Sequence, residues 1–313
     1  MNGEVAVTLR FGLVGTGYWA QATHAPALTS TPGASLTAVW GRDLDRARQL
    51  GDKHGAVAHD DLDEFLAAVD AVEFSVPPDV QAPIATRAAA AGKHLLLEKP
   101  IALTDAEADA LVEAVDGAGV ATVVFFTSRF QPETRAWLTQ VTSQSGWMGG
   151  SAAWLGSAMR TSSPFNTPWR QVKGGLWDVG PHAVGMLWAA LGPVTRVTAD
   201  HGLADITHLV LHHASGVTST VTVTLSAPEQ AARFDLSLWG EPGTAPLPRT
   251  AGTPVTALRT ALTELVEHAE SGRTDHPCDV RFGRDITRVL AAAQHQLDAA
   301  SRRSSGKSER ALF

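Results

Sequence analysis

The sequence predicts an α/β fold in two parts. Residues 1–126 read as a doubly wound parallel sheet, and residues 127–313 as an α+β domain built on a large, mostly antiparallel sheet. Three observations carry this. Up to Phe126, short apolar runs alternate with longer amphipathic ones; after it, strand-like runs follow one another with tight turns between them. The chain's 313 residues also exceed the ~100–200 of an average domain, so two domains are expected.

In the first part, strands are expected at Leu9–Val14, Leu36–Trp40, Ala71–Val76, His94–Leu97 and Val120–Phe126. They show little polar alternation, as in strands covered on both faces. Amphipathic helices fall between them at Tyr18–Thr29, Leu44–His54, Leu62–Ala68, Val80–Ala91 and Thr104–Asp116. Thr104 and Glu107 have capping-box spacing, and Gly92 and Gly117 stand where helices should stop. In the second part, strands are expected at Gly150–Ala158, Thr195–Ala199, His208–His213, Val217–Leu225 and Phe234–Trp239, with a turn at Ala214-Ser215-Gly216 and a helix at Pro181–Leu191. Glu241–Pro254, rich in Pro, Gly and Thr, reads as a surface loop. Helices at Val255–Ser271 and Val280–Ser301 close the chain, and the polar Ser304–Glu309 stretch reads as frayed. There is no internal repeat.

Composition narrows the function. With 44 % hydrophobic residues, nine Trp and ten Phe, the chain can pack a core and is not intrinsically disordered. Its net charge of -7 provides no global positive field for nucleic acid or anionic lipid, so neither is expected as a partner. Cys278 is the only cysteine, and no His spacing suggests a metal site, so no metal is expected. The apolar run Ala183–Ala190 is far short of the ~20 residues that span a bilayer. Glu4, with no basic region ahead of an apolar run, argues against a secretory signal, and a cytoplasmic protein is expected.

The first strand runs into Gly15-Thr16-Gly17-Tyr18-Trp19-Ala20, the G-x-G-x-x-A form of the dinucleotide fingerprint. Gly15 allows the tight turn, Gly17 lets backbone approach a pyrophosphate, and Ala20 permits close helix packing. A Gly-rich turn in a nucleotide-free domain and a methyltransferase loop are the alternatives. The strand His94–Leu97 ends in Glu98-Lys99-Pro100, and Pro100 restricts Lys99 to extended backbone, aiming its ammonium at the crevice beyond the strand ends. Val76-Pro77-Pro78 closes the preceding strand, as a wall for a nicotinamide ring or merely as a stiff turn. At the end of the second strand, Gly41 stands where an NAD-selective site carries a carboxylate, and Arg42 follows, able to pair with a 2′-phosphate. This favours NADP(H) and leaves NAD(H) possible, since a later strand end would turn Asp43 to the ribose.

These motifs, together with Ile101-Ala102-Leu103-Thr104, Trp169-Arg170 and Gly174-Gly175-Leu176-Trp177-Asp178-Val179-Gly180-Pro181-His182, resemble the Gfo/Idh/MocA oxidoreductases from about Leu9 to Leu191. The resemblance implies a Rossmann domain and a second domain that supplies part of the site. It implies Lys99, Asp178 and His182 as catalytic residues. Lys99 would lie beside the nicotinamide and the reacting carbinol, and Asp178 and His182 would complete the site across a cleft. The chemistry agrees. A carbinol that loses hydride must also lose a proton, imidazole suits that near neutral pH, and a carboxylate four residues away can orient it. Outside the family, His182 could simply start a helix and Asp178 answer its dipole. Trp154, Trp169 and Trp177 could line a sugar surface or fill the core, and Arg129 and Arg170 could contact substrate or solvent. His24, His201, His208, His212 and His213 read as structural. Two positions depart from the family: Gln81, where many members have His, and Gly185, where many have Asp. The expected activity is interconversion of a secondary alcohol and a ketone on a sugar, cyclitol or related polyol, by a homodimer or homotetramer joined through its open sheet. The rival is a non-catalytic NAD(P)-binding sensor of the same fold.

Overall fold

The computed structural model describes residues 8–160 and 163–310, the last seven by backbone alone; Glu4 lies outside the described residues. The chain packs as two units, one of Met1–Gln131 with Ala251–Asp285, the other of Pro132–Thr250 with Ile286–Phe313.

The first unit holds six parallel strands, β1 (Leu9–Val14), β2 (Ala34–Trp40), β3 (Val57–His59), β4 (Ala71–Phe74), β5 (His94–Leu97) and β6 (Thr122–Val124), in the order β3-β2-β1-β4-β5-β6. Crossovers run through α1 (Ala25–Ser30), α2 (Leu44–His54), α3 (Leu62–Ala67), α4 (Pro78–Ala90) and α5 (Asp105–Ala118). Strand order reverses between β1 and β4, so the loops leaving them part and open a crevice beyond their carboxyl ends. Phe11, Leu13, Phe74 and Leu95–Leu97 are completely buried, as the apolar runs predict. Thr104 caps α5 by accepting from the Glu107 amide (3.2 Å), but the helix passes Gly117 and ends at Gly119, whose φ of 64° makes it the left-handed cap. The sequence reading lacks β3, whose three residues are too short to show a period.

The second unit contains α6 (Pro132–Thr142), β7 (Trp147–Leu155), α7 (Pro168–Asp178), α8 (Gly180–Leu191), β8 (Val194–His201), β9 (Thr207–His213), β10 (Thr218–Thr224), β11 (Arg233–Gly240) and β12 (Gly243–Pro246). Its sheet runs β12-β11-β7-β10-β9-β8, antiparallel except where β10 lies parallel to β7. Side chains alternate along β9: Leu209 and Leu211 are buried, while His208 and Val210 face outward. Glu241–Pro254, read as a loop, contains β12, whose Thr244 and Ala245 pair with Trp239 and Leu238. Helices α6 and α7 also escape the sequence reading, because each begins at a proline within a polar stretch.

The chain closes with α9 (Pro254–Ser271) and α10 (Val280–Arg310), the latter helical through the Ser304–Glu309 stretch read as frayed. Helix α9 and the start of α10 belong to the first unit, so the compact units do not follow a linear division at residue 126. The reason is cover: a parallel sheet must be buried on both faces, and the apolar stripe Ala257, Leu258, Ala261, Leu262 and Leu265 packs α9 over α1, β2, β5 and β6. Among the described residues, no helix is long and apolar enough to cross a membrane.

Two glycines should respond oppositely to alanine. A Cβ at Gly175 would lie 2.7 Å from the Thr224 backbone, so Gly175→Ala should cost about 1–3 kcal/mol and lower the thermal midpoint. At Gly117, inside α5, a Cβ would meet nothing within 4 Å, so Gly117→Ala should be stabilising by about 0.5–1 kcal/mol. Calorimetry of the two variants checks both signs.

Candidate active site

The fingerprint loop is built by a steric conflict that only glycine resolves. Gly15 has φ of 121°, and a Cβ there would lie 2.4 Å from the Ser75 carbonyl oxygen. Its amide donates to Trp40 O (3.0 Å), while Ser75 N donates to Val14 O (2.9 Å), so the loop is stitched to both neighbouring strand ends. The Val76 side chain abuts the same point, and Pro77 and Pro78 start α4 beside it. Over Gly17 a Cβ would meet nothing within 4 Å, the open backbone a pyrophosphate would need, and the Tyr18 side chain is exposed beside it. Ala20 is fully buried. The residues present therefore fit a dinucleotide. The following segment is not the regular helix expected from Tyr18: Ala20–His24 form a π-helical turn, because Pro26 has no amide to bond to Ala22, and Ala25 N reaches back to Ala20 O.

At the end of β2, Asp43 is committed to a helix cap. Strand β2 stops at Trp40, and Asp43 caps α2, its carboxylate accepting from Arg46 N (3.1 Å). Gly41 is required by Thr16, whose Cγ2 would lie 2.9 Å from a Cβ. Arg42 is exposed, and Arg46, which the sequence reading passed over, donates to Thr16 O (3.3 Å). Two guanidinium groups thus stand at this strand end.

At the end of β5, the Glu98 carboxylate is a junction. Its Oε1 accepts from Trp19 Nε1 (2.9 Å) and lies 3.3 Å from His24 Nε2, while its Oε2 accepts from Lys99 N (3.1 Å). Gln81 grips the same turn from α4: its Oε1 accepts from Glu98 N (2.8 Å), and its Nε2 donates to Glu98 O (2.7 Å) and Pro100 O (3.3 Å). The Lys99–Pro100 peptide is cis. Behind the carboxylate, His24 Nδ1 lies 2.6 Å from Glu73 Oε1, both side chains fully buried. Burial alone would lower the His24 pKa, but the Glu73 carboxylate, with Glu98, overrides it and pushes it up to about 9. Burial would raise Glu98, but the His24 imidazole 3.3 Å away, together with Lys99 and the bond from Trp19, holds it below the usual carboxylate range. Glu73 is raised by burial. The reading of His24 as structural thus omits its ion pair, although Glu73 in an otherwise apolar strand signals that a buried cation must face it.

In the second unit, α7 contains a break at Gly174 (φ 62°). Asp205 spans it, accepting from Gly175 N (3.2 Å), Leu225 N (2.7 Å) and Thr224 Oγ1 (2.5 Å). Beyond the break, the bonds Val179 N to Gly175 O (3.1 Å) and Ala183 N to Val179 O (3.3 Å) carry helical geometry across the junction to α8. Asp178 and His182, both buried, therefore fall on one side, as their spacing predicts. Asp178 Oδ2 lies 3.0 Å from Arg170 Nε, and that guanidinium packs over the Trp169 ring (4.8 Å). His182 stacks on Trp154 (5.0 Å between ring centres), which leans on Phe234. Trp177 is core, bonded to Gln294 (2.9 Å), and Arg129 lies over Phe282 in the first unit. Among the described residues, no group of three His, Cys, Asp or Glu side chains could hold a metal.

Residues 9–126 match a family described as oxidoreductases with an NAD-binding Rossmann fold, and residues 139–245 match the GFO/IDH/MocA C-terminal domain. An uncharacterized oxidoreductase, ORF334, of Rhizobium meliloti is 38 % identical over 114 residues, 36 % of this chain and 34 % of its own. D-xylose 1-dehydrogenase (NADP(+)) 2 of Haloferax volcanii is 28 % identical over 241 residues, 71 % of each chain. The matches span only about a third to just over half the length of the first curated relatives. A levoglucosan dehydrogenase solved with NADH and levoglucosan superposes with a TM-score of 0.81 over 93 % of this chain and 98 % of its own, at 17 % identity, a likeness of fold.

The raised pKa of His24 sets a stability trend. The native state binds this proton more tightly than the unfolded chain, so its contribution is complete below about 6.5 and lost as pH rises towards about 9. Denaturant melts between pH 6.5 and 9.5 should show falling stability, and His24→Asn should flatten that slope.

Proposed function

The chain belongs to the Gfo/Idh/MocA oxidoreductase family, and from that premise we propose that it interconverts a secondary alcohol and a ketone of a sugar, cyclitol or related polyol with a nicotinamide cofactor. One observation carries the reading: the Glu98 carboxylate joins Trp19 of the fingerprint to the backbone of Lys99, so the open loop and the strand-end ammonium belong to one bonded assembly. Gly15, Thr16, Gly17, Tyr18, Trp19 and Ala20 would hold the pyrophosphate, Val76, Pro77 and Pro78 would back the nicotinamide, and Glu98 and Pro100 would set the wall beside it. The bound cofactor supplies the hydride acceptor or donor. Lys99 holds the substrate oxygen and stabilises negative charge developing on it. His182 takes the carbinol proton during oxidation and returns it during reduction, with Asp178 orienting it or accepting a substrate hydroxyl and Arg170 steadying Asp178.

The preference proposed is for NADP(H). Arg42 and Arg46 offer two guanidinium groups to a 2′-phosphate, and Asp43 is committed to its helix cap. A carboxylate ~4 Å from that phosphate would oppose it by roughly 4 kcal/mol at an effective dielectric near 20. The relative from Haloferax volcanii, named for NADP(+), supports the same direction. Self-association as a homodimer or homotetramer through the outward face of the second sheet is part of this proposal.

A panel of sugars, cyclitols and their keto forms, followed by NADPH absorbance, tests the activity; no turnover with any member would count against it. On the best substrate, Lys99→Ala and His182→Ala should each lower kcat by about 100-fold or more, and the double variant should lose far less than their product, as residues serving one step do. Strict additivity would separate their roles. Arg42→Ala and Arg46→Ala should each reduce the NADPH-over-NADH ratio of kcat/KM by about tenfold or more, in line with a lost charge-assisted contact. An unchanged ratio in both variants would remove the NADP assignment.

A further inference from the structure

Behind the strand end that carries Lys99 lies a buried ion pair, His24 with Glu73, that this function leaves unused. His24 comes from the π-helical turn, Glu73 from β4, and Glu98 and Lys99 from the end of β5. Uncharged neighbours complete the surroundings: Trp19 donates to Glu98, Gln81 holds the Glu98 backbone from α4, and the Phe125 ring meets His24 edge-on at 6.5 Å. His24 therefore lies between a fully buried carboxylate, Glu73, and a largely buried one, Glu98, with the partly exposed Lys99 next in the chain. The Glu73 Oε2 atom is buried without a hydrogen-bond partner, so among the described residues it is His24 that answers the Glu73 charge. Such an arrangement holds together only while the charges cancel.

We propose that His24 is a positioning residue for the reaction: as an imidazolium lodged between Glu73 and Glu98 it balances the two carboxylates, keeping Glu98 ionised and the Lys99 backbone fixed beneath its ammonium. This rests on the proposed role of Lys99. Without His24, the charge that most opposes the desolvation of Glu98 is gone while the neighbouring Glu73 carboxylate still repels it, and Glu98 takes up a proton more readily. A protonated Glu98 gives up charge-assisted acceptance of Lys99 N and Trp19 Nε1, loosening both the strand end and the fingerprint loop. Loss through charge, and not through packing, makes the defect correctable: removing the second carboxylate as well restores the balance.

The test uses the full chain in three variants, His24→Asn, Glu73→Gln and the double variant, with Lys99→Ala as reference. His24→Asn should lower kcat at pH 7 by about 10- to 100-fold, raise the NADPH Kd by calorimetry as the fingerprint loop loosens, and add an ionisation to the kcat profile between pH 5 and 9 that the wild type lacks. The double variant should recover most of that loss and shed the new ionisation. A double variant no better than His24→Asn, or a His24→Asn profile shaped like the wild type, would overturn the proposal. NMR titration of the His24 imidazole in the wild type needs neither variant folding nor substrate: it should stay protonated through pH 8, and a midpoint below 7 would overturn the charge balance outright. If Lys99→Ala turns over normally while His24 stays protonated, the role of Lys99 fails and the buried charge network stands.

Discussion

A carboxylate withdrawn from water at the end of a parallel strand must be met by donors, and the way Glu98 is met organises the first unit. The penalty for an unanswered buried ion is several kcal/mol, comparable to a domain's net stability. Three elements answer it: Trp19 from the fingerprint, His24 from the π-helical turn, and the amide of Lys99 next in the chain. Gln81 reads the backbone on either side of the Glu98 peptide without adding charge. The loop proposed to hold the pyrophosphate and the residue proposed to meet the substrate oxygen are thus connected through one buried group. The π-helical turn belongs to this solution, since it carries His24 to within ion-pair distance of both carboxylates.

The second unit orders its acid and histidine by other means. There a backbone break at Gly174 is bridged by Asp205, and the helix resumes so that Asp178 and His182 share a side. Burial would raise Asp205, but its bonds to Thr224, Leu225 and Gly175 hold it below the usual carboxylate range. The two side chains proposed for catalysis then find separate supports, Arg170 for Asp178 and the face of Trp154 for His182. Arg170, which from sequence could equally face substrate or solvent, acts first on a neighbouring carboxylate. Trp154 and Trp177 divide in the same way: one rings the histidine, the other is core.

Much of this was legible in the sequence because it is written in short, local patterns. Apolar runs without alternation gave five of the six parallel strands, and Gly15-Thr16-Gly17 with its flanking strand located the loop whose φ and close approach to Ser75 require glycine. What escaped was set by distant partners. Helix α9 joins the first unit because a sheet face far away in sequence needs cover, which no window of residues reveals. The setting of Asp43 depended on where β2 ended by one or two residues, which the sequence does not mark; the strand stops at Trp40 and Asp43 caps α2. His24 looked structural because its partners, Glu73 and Glu98, lie 49 and 74 positions away; the visible clue was the carboxylate inside an apolar strand. Gln81 registered only as a departure from a family pattern, whereas its amide matches the donor and acceptor of the Glu98 turn.

The claim on which the rest stands is direct hydride transfer between a substrate carbinol carbon and a nicotinamide. It is tested by supplying a sugar or cyclitol deuterated at the reacting carbon together with NADP(+), and reading the isotopic content of the reduced nicotinamide by mass spectrometry. The account predicts one deuterium transferred per turnover and none lost to water. A reduced cofactor without label, or product formed with no change in the cofactor, would contradict it.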